Sequence, residues 1–339
     1  MHIYFLSYNY RKHTPSTRYR GTYPLKSLKE KYKIKTTIFH RKQDIFYLFF
    51  LYLKIKLTKK TNVVIFQRIV KKDKISKLME KIRKIADISI LDIDDAIEDL
   101  TENKKNKKYI YDWISKTDQV WVGSKELEKN YSKYNKNIKL MTTPVPKVKL
   151  IEKEENKTFT IGWVGNYKPH KNNLDMFFNE IQNISVKIKL KLVGITMSAA
   201  QDEIKNIFNK TKVEILFPII KNWNNEQEIS NEIQTFDIGI MPQLDTKYDR
   251  AKSAFKLKQY LASNVPVLAS PVGENLNVVI EVKNGMLVKD GNWKTTISNF
   301  ISLNKKELSE LKKNVEEEYL SSDYNMNNYI KKMYEKFNS

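Results

Sequence analysis

The apolar positions of the chain fall into short runs, unbroken or alternating, separated by longer, periodic stretches. The runs lie at Ile3–Ser7, Thr36–Phe39, Asn62–Gln67, Ser89–Ile93 and Gln119–Val122, then at Thr158–Val164, Lys187–Val193, Val213–Phe217, Ile238–Met241, Val265–Ala269 and Met286–Val288. Consecutive apolar residues bounded by Gly or Pro suit strands of a parallel sheet covered on both faces. Helix-length intervals between them make βαβ units, so each half of the chain is expected to be a doubly wound, Rossmann-like α/β sheet. The prolines in Thr142-Thr143-Pro144-Val145-Pro146 and the polar stretch Lys149–Lys157 predict a joint, giving units 1–148 and 149–320. Residues 321–339 form a C-terminal segment in which Asp323–Phe337 has the spacing of an amphipathic helix. Parallel sheets bind ligands beyond the carboxyl ends of their strands, so chemistry is sought in the loops that follow them.

Composition narrows the classes. An apolar fraction of 41% over 339 residues is enough for real cores and excludes wholesale disorder. The absence of cysteine excludes a disulfide scaffold, a thiolate zinc site and a cysteine nucleophile. The four histidines, His2, His13, His40 and His170, are scattered without the spacing of a helical zinc motif, so no metal site is expected. Charge is uneven. Residues 1–150 hold 35 Lys and Arg against 15 Asp and Glu, whereas residues 151–339 hold 26 against 24. A general preference for lysine would load both halves alike, so the first half points to an acidic partner: anionic lipid, nucleic acid or a phosphorylated or acidic substrate. No RNA-binding aromatic motif or zinc finger supports the nucleic-acid version.

No signal-peptide pattern opens the sequence. The most apolar run, Ile45–Leu53, is nine residues long, short of the roughly 20 that cross a bilayer. A cytoplasmic protein is therefore expected, peripheral on the inner face of the cell membrane. The aromatic stretch from Phe46 to Leu53, followed by Lys54, Lys56, Lys59 and Lys60, reads as either an interfacial helix or a core helix with a snorkelling lysine edge. The core role is favoured, with the basic rim open to lipid head groups.

Two loops of the second half carry candidate chemistry. Gly162-Trp163-Val164-Gly165-Asn166 runs into Tyr167-Lys168-Pro169-His170-Lys171 and a helix from about Asn172. Backbone N–H groups, the helix dipole and Lys171 would favour a phosphate there, although the loop fits neither the P-loop nor the Rossmann fingerprint. Farther on, Asp237-Ile238-Gly239-Ile240-Met241-Pro242 leads to Lys252-Ser253-Ala254-Phe255-Lys256-Leu257-Lys258-Gln259-Tyr260-Leu261-Ala262 and then to Asn264-Val265-Pro266-Val267-Leu268-Ala269-Ser270-Pro271-Val272-Gly273-Glu274-Asn275, ending at Asn284-Gly285. Lys252 and Lys256 are four apart and are expected on one face of the first turns of a helix, where cations oppose the dipole unless an anion is bound. Gln259 is placed to bond a sugar hydroxyl. In the first half, Asp92, Asp94, Asp95, Glu98 and Asp99 follow a strand, with Asp94 and Asp95 expected to face the cleft. Helix capping and pairing with nearby lysines are the competing readings. Arg18, Arg20 and Arg68 sit in loops where arginine forks suit phosphate or carboxylate.

The order and spacing from Phe236 to Gly285 resemble the large family of retaining GT-B glycosyltransferases often called family 4: D-I-G-x-x-P, then K-x-x-E-Y-M-A, then G-x-P-V-V-A-S, a glycine turn and N-G. Ser16-Thr17-Arg18-Tyr19-Arg20, Phe66-Gln67-Arg68, Asp92–Ala96 and Val122-Gly123-Ser124 look like elements of a bacterial branch that assembles surface glycans. The resemblance implies a GT-B fold, two Rossmann-like domains facing across a cleft, with the final helix crossing back onto the first. It implies metal-independent hexosyl transfer with retention, needing no cofactor beyond a UDP- or GDP-linked sugar as co-substrate. That donor would be held by Gly165, Asn166, Lys171, Lys252, Lys256, Gln259, Gly273 and Asn275. The acceptor, a glycan that is lipid-linked or acidic, would meet Arg18, Arg20 and Arg68, with Asp94 and Asp95 as the catalytic candidates. The family's paired glutamates fall on Ala251 and Gln259, so Asp245 or Asp249 is the expected substitute for the first. The usual arginine of its diphosphate clamp falls on Asn166 while its lysine matches Lys171. A nucleotide-sugar epimerase or hydrolase on the same fold, and a non-catalytic basic binder, are the alternatives.

Overall fold

The computed structural model describes residues 1–9, 14–41, 44–152 and 156–338; His13 and the middle of the predicted linker, 153–155, lie outside them. The chain forms two compact units: Met1–Pro144 with Ala251–Ser253 and Met326–Ser339, and Val145–Arg250 with Ala254–Asn325.

In unit 1, strands β1 (His2–Ser7), β2 (Lys35–His40), β3 (Asn62–Gln67), β4 (Ile88–Ile93), β5 (Gln119–Val122) and β6 (Ile138–Leu140) form one parallel sheet in the order β2-β1-β3-β4-β5-β6. Helices α1 (Pro15–Thr17), α2 (Tyr23–Tyr32), α3 (Ile45–Leu57), α4 (Lys74–Ile85), α5 (Lys104–Lys116) and α6 (Lys125–Tyr131) connect them. Alternate strand residues explain why the runs are unbroken. Tyr4, Leu6, Val64 and Phe66 pack beneath α3 to α6, while Ile3, Phe5, Val63 and Ile65 pack on the opposite face with α2. The strand absent from the sequence reading is β6. It is three residues long, lies at the sheet edge, and is half-buried with Lys139 at its centre, so it carries no apolar run.

Polar groups are concentrated at the strand ends. Between α1 and α2 a π-helical turn, Arg18–Thr22, sends Arg20 into the interior. Its guanidinium grips the Asp92 carboxylate through Nε and Nη2, while Nη1 donates to the Met141 carbonyl at 2.6 Å and to Thr143 Oγ1 at 3.2 Å. Both side chains of this ion pair are buried. Burial works against the charge of Arg20, but the facing carboxylate and its hydrogen bonds hold the pKa above its usual value. The expected role of Arg20 in acceptor binding is corrected: its side chain is buried, and each of its three nitrogens donates within unit 1. Gln67, at the end of β3, extends the network. It donates to Asp92 Oδ2 at 3.3 Å and accepts from Ser7 Oγ at 2.9 Å and Thr17 Oγ1 at 3.0 Å.

Helix α3 departs from expectation. Its apolar residues run all round, which in a sequence reads as a buried helix. Leu48, Leu51 and Ile55 do enter the core, but Phe46, Phe49, Phe50, Leu53 and Leu57 stand in solvent.

In unit 2, β7 (Thr160–Val164), β8 (Ile188–Val193), β9 (Val213–Leu216), β10 (Ile238–Met241), β11 (Val267–Ala269) and β12 (Gly285–Leu287) form a second parallel sheet ordered β12-β11-β10-β7-β8-β9. The strand order reverses between β7 and β10, the place where open α/β sheets bind ligands. Helices α7 (Lys171–Ile181), α8 (Ser198–Ile207), α9 (Glu226–Ile233), α10 (Lys247–Arg250), α11 (Phe255–Ala262), α12 (Asn275–Val278), α13 (Trp293–Ile301) and α14 (Lys305–Ser321) cover its two faces. The described part of the predicted linker is tied to α9. Lys149 N donates to Gln227 Oε1 at 2.9 Å and Ile151 N to Gln234 Oε1 at 2.8 Å, so the stretch is held rather than loose.

Helix α15 (Met326–Asn338) belongs to unit 1, where Tyr329, Ile330 and Met333 join the α2 face of the core and Tyr334 stacks on Tyr32 with ring centroids 3.9 Å apart. Among the described residues no helix is long and apolar enough to cross a membrane.

The buried ion pair generates a stability prediction. Asp92→Asn leaves the Arg20 charge uncompensated and is expected to cost about 3–5 kcal/mol in urea unfolding. The double variant Arg20→Met/Asp92→Leu is expected to cost less than the sum of its single changes; simple additivity would show that the pair is not energetically coupled.

Candidate functional site

The sharpest local arrangement in unit 2 lies just beyond β7. Lys256, the second residue of α11, lays its side chain across Gly165. A Cβ at Gly165 would come 2.7 Å from Lys256 Cε and 3.1 Å from the Trp163 indole, so glycine leaves the path of the lysine open. The ammonium ends 2.8 Å from His170 Nε2 and 5.5 Å from the centre of the Trp163 ring, against which the His170 ring packs edge-on. An ammonium can only donate, so Nε2 is the acceptor in this contact. Helix α11 has no side-chain cap and no acid in its first turn, and Ala254 at its N-cap takes a left-handed backbone with φ of 51°. A cation held over a helix start opposes the dipole, and an anion bound there would satisfy both. Gly194, at the end of β8 with φ of 98°, completes the floor: a Cβ would meet the Gly165 carbonyl oxygen at 2.5 Å.

The other expected donor residues sort differently. Asn166 is exposed beside Gly165, and Gln259 is half-buried on α11 three residues after Lys256. Lys171 opens α7 but is held by Asp175 at 2.9 Å and Glu203 at 2.7 Å, hydrogen bonds that raise its pKa well above the ordinary lysine value. A phosphate there would compete with two carboxylates. Gly273, with φ of 55°, packs so closely on Arg250 that a Cβ would come 2.4 Å from its carbonyl oxygen, which makes it a structural turn. Asn275 is corrected: it is fully buried, its amide donating to Gln243 Oε1 at 2.7 Å and to the Ser270 carbonyl at 2.9 Å. Asp249 is also buried, bonded by Thr246 Oγ1 at 2.7 Å and Asn173 Nδ2 at 3.2 Å, and Asp245 pairs with Arg250 in solvent.

Lys252 is a further correction. Helix α11 starts at Phe255, so Lys252 does not share a helix face with Lys256. The segment Ala251–Ser253 belongs to unit 1, where Ala251 enters the core and its carbonyl accepts from Ser124 Oγ at 2.8 Å. A Cβ on Gly123 would meet the Asp94 carbonyl oxygen at 3.0 Å and Ser253 Cβ at 3.3 Å, so glycine lets this segment nest at the end of β5. Lys252 there contributes its field to Asp95.

The acidic run does not act as one cluster. Asp92 pairs with Arg20, Glu98 accepts from Tyr131 Oη at 2.6 Å, and Asp94 and Asp95 share Arg68 Nη1 at 3.4 and 3.1 Å. Arg68 itself takes a left-handed backbone with φ of 55° and is bound to the two aspartates rather than standing open to an acidic acceptor. Arg18 is buried over the Tyr19 ring. The Asp95 side chain, 29% exposed, has its pKa raised by the surrounding protein and the Asp94 charge, against the pull of Arg68 and Lys252. His170 and Trp163 were not singled out as site residues in the sequence; the only signal was the place of His170 one residue before Lys171.

Residues 158–305 match the family model for Glycosyl transferases group 1. No curated protein matches the chain by sequence. Among solved structures, the apo form of the lipopolysaccharide outer core galactosyltransferase WaaB is 13% identical with a TM-score of 0.64, covering 99% of this chain and all of that one. HepE of Anabaena, solved with UDP-glucose, is 11% identical with a TM-score of 0.68, covering 100% of this chain and 99% of that one. Sucrose-phosphate synthase of Thermosynechococcus elongatus is 11% identical with a TM-score of 0.70, covering 100% and 98%. The fold is therefore the α/β GT-B fold of these glycosyltransferase structures, with a parallel six-stranded sheet in each unit.

Two predictions come from this geometry. Lys256→Ala is expected to weaken the binding of pyrophosphate, an anion of the kind this geometry suits, by roughly 10- to 100-fold in titration calorimetry, the range of one charged hydrogen bond, and an unchanged affinity would remove Lys256 from the site. Asp95→Asn is expected to raise the melting temperature at pH 7, because the ionised form is disfavoured in the folded protein. The gain should vanish below about pH 4, where the carboxyl is protonated in folded and unfolded states alike. A lower melting temperature at pH 7 would show that the pair with Arg68 dominates.

Proposed function

We propose that the chain is a glycosyltransferase that moves a hexose from a nucleotide-diphosphate donor to a glycan or lipid-linked acceptor in bacterial surface polysaccharide synthesis. The match of residues 158–305 to the group 1 glycosyltransferases carries the reading. The Lys256–His170–Trp163 arrangement beyond β7 supports it, because breaking a sugar–diphosphate bond builds negative charge on the departing phosphate. A preorganised ammonium and the start of α11 stabilise that charge without reorganising when it forms. Gln259, three residues on, is positioned to accept or donate to a ribose hydroxyl. Trp163 and His170 keep Lys256 from swinging into solvent, so its position is set before the donor arrives.

On the acceptor side, Asp94 and Asp95 orient the attacking hydroxyl, with Arg68 fixing their carboxylates. Transfer proceeds with retention of the anomeric configuration and without a metal ion, the family 4 pattern that Phe236–Gly285 resembles. UDP is the first nucleotide to test, since HepE was solved with UDP-glucose.

A thermal-shift panel of UDP-, GDP- and CMP-sugars tests the donor class. A ligand at 100 times its Kd adds about 2.7 kcal/mol of stability by linkage, so a cognate sugar nucleotide is expected to raise the melting temperature by several degrees, and the rise should shrink by about half or more in Lys256→Ala. Stabilisation by no member of the panel would overturn the assignment. Rapid isomerisation of a bound donor without any acceptor would instead indicate an epimerase.

A further inference from the structure

Helix α3 has two apolar faces, and only one of them is covered. Leu48, Leu51 and Ile55 pack into the core of unit 1. The residues at i, i+3, i+4, i+7 and i+11 from Phe46, namely Phe49, Phe50, Leu53 and Leu57, form a continuous outer stripe. Phe46 is 76% exposed, Phe50 59% and Leu57 78%; isolated residues such as Ile219 and Val282 are as exposed, but here the exposed side chains lie along one line. Lysines flank the stripe on both sides. Lys54 follows Phe50 by four residues, Lys56 follows Leu53 by three, and both are exposed, as are Lys59 and Lys60 just beyond the helix.

The surroundings reinforce this charge. No Asp or Glu occurs between Asp44 and Asp73. His2, at the start of β1, has its pKa pushed down to about 4 by burial and by the combined fields of Lys54, Lys35, the amino terminus and Lys60. These cations therefore lie around His2.

We propose that α3 is a membrane-docking helix that lies in the interface of an anionic phospholipid bilayer, with Phe46, Phe49, Phe50, Leu53 and Leu57 among the acyl chains and Lys54, Lys56, Lys59 and Lys60 at the phosphates. An aromatic stripe with lysines on both edges is the pattern of helices that lie in the membrane plane. Charge selects this occupant over a second copy of the chain: two copies meeting through α3 would bring their lysine rims together, each in a half with 35 basic against 15 acidic residues. The docking surface stands independently of the reaction proposed above, since it uses no residue of either candidate site.

Flotation of the purified chain with vesicles tests it. Binding is expected to vesicles containing phosphatidylglycerol, and weakly or not at all to phosphatidylcholine alone. The exposed triple variant Phe46→Ser/Phe49→Ser/Phe50→Ser is expected to keep its far-UV spectrum and to lose about 1,000-fold in partitioning, taking about tenfold for each aromatic removed. Lys54→Gln/Lys56→Gln/Lys59→Gln/Lys60→Gln is expected to lose at least about tenfold and most of its sensitivity to salt. Because the chain has no cysteine, Phe50→Cys offers a single site for an environment-sensitive dye, whose emission should shift to the blue on anionic vesicles. Undiminished vesicle binding by the triple variant, or no shift from the dye, would overturn the proposal. So would sedimentation showing a dimer that these substitutions dissociate while vesicles are ignored.

Discussion

Arg20 and Asp92 meet where neither side chain reaches water, and the organisation of unit 1 follows from the need to keep them paired. An isolated charge in that interior would be costly, so the chain must bring a helical turn after β1, the end of β4 and the carbonyl of Met141 to one point. Gln67 reaches Asp92 from β3 and joins it to Ser7 and Thr17. Both faces of the sheet are apolar, so this polar network has room only at the carboxyl ends of the strands. The neighbouring aspartates, Asp94 and Asp95, emerge from the same end of β4, held by an arginine of their own.

Unit 2 meets the same constraint with fewer charges and more glycine. Its strands leave their polar potential beyond β7 and β8, where Gly165 and Gly194 allow backbone and side chains to approach more closely than any Cβ would permit. Lys256 takes the space above Gly165 and is fixed there by Trp163 and His170. The same device appears inside the sheet: Gly239 lacks the Cβ that would strike the Tyr260 ring, and the Tyr260 hydroxyl accepts from Val164 N at 3.0 Å. The helix that carries Lys256 is thereby tied to the strand that ends at its site.

Helix α3 shows how surface chemistry separates from fold chemistry on one element. Its inner face contributes to the core of unit 1, and its outer stripe contributes nothing to that core. Retaining large aromatics in water is unfavourable for solubility, and a lipid interface removes that cost while the lysine rim meets phosphate.

Sequence alone determined the elements that depend on local pattern. Short runs of apolar and β-branched residues marked eleven strands, even in β8, where Lys189 and Lys191 alternate with apolar residues; β6, short and half-buried at an edge, left no such mark. The order of motifs from Phe236 to Gly285 likewise placed Lys256 and Gln259 on one helix. What depends on long-range contact was decided only in three dimensions. Arg20 and Arg68 look alike along the chain, yet one is sealed against Asp92 and the other bridges two aspartates. Lys252 and Lys256 are four residues apart but belong to different units, because α11 starts only at Phe255. The outer face of α3 was hidden for the same reason: a helix apolar all round has no preferred side until a sheet covers one of them.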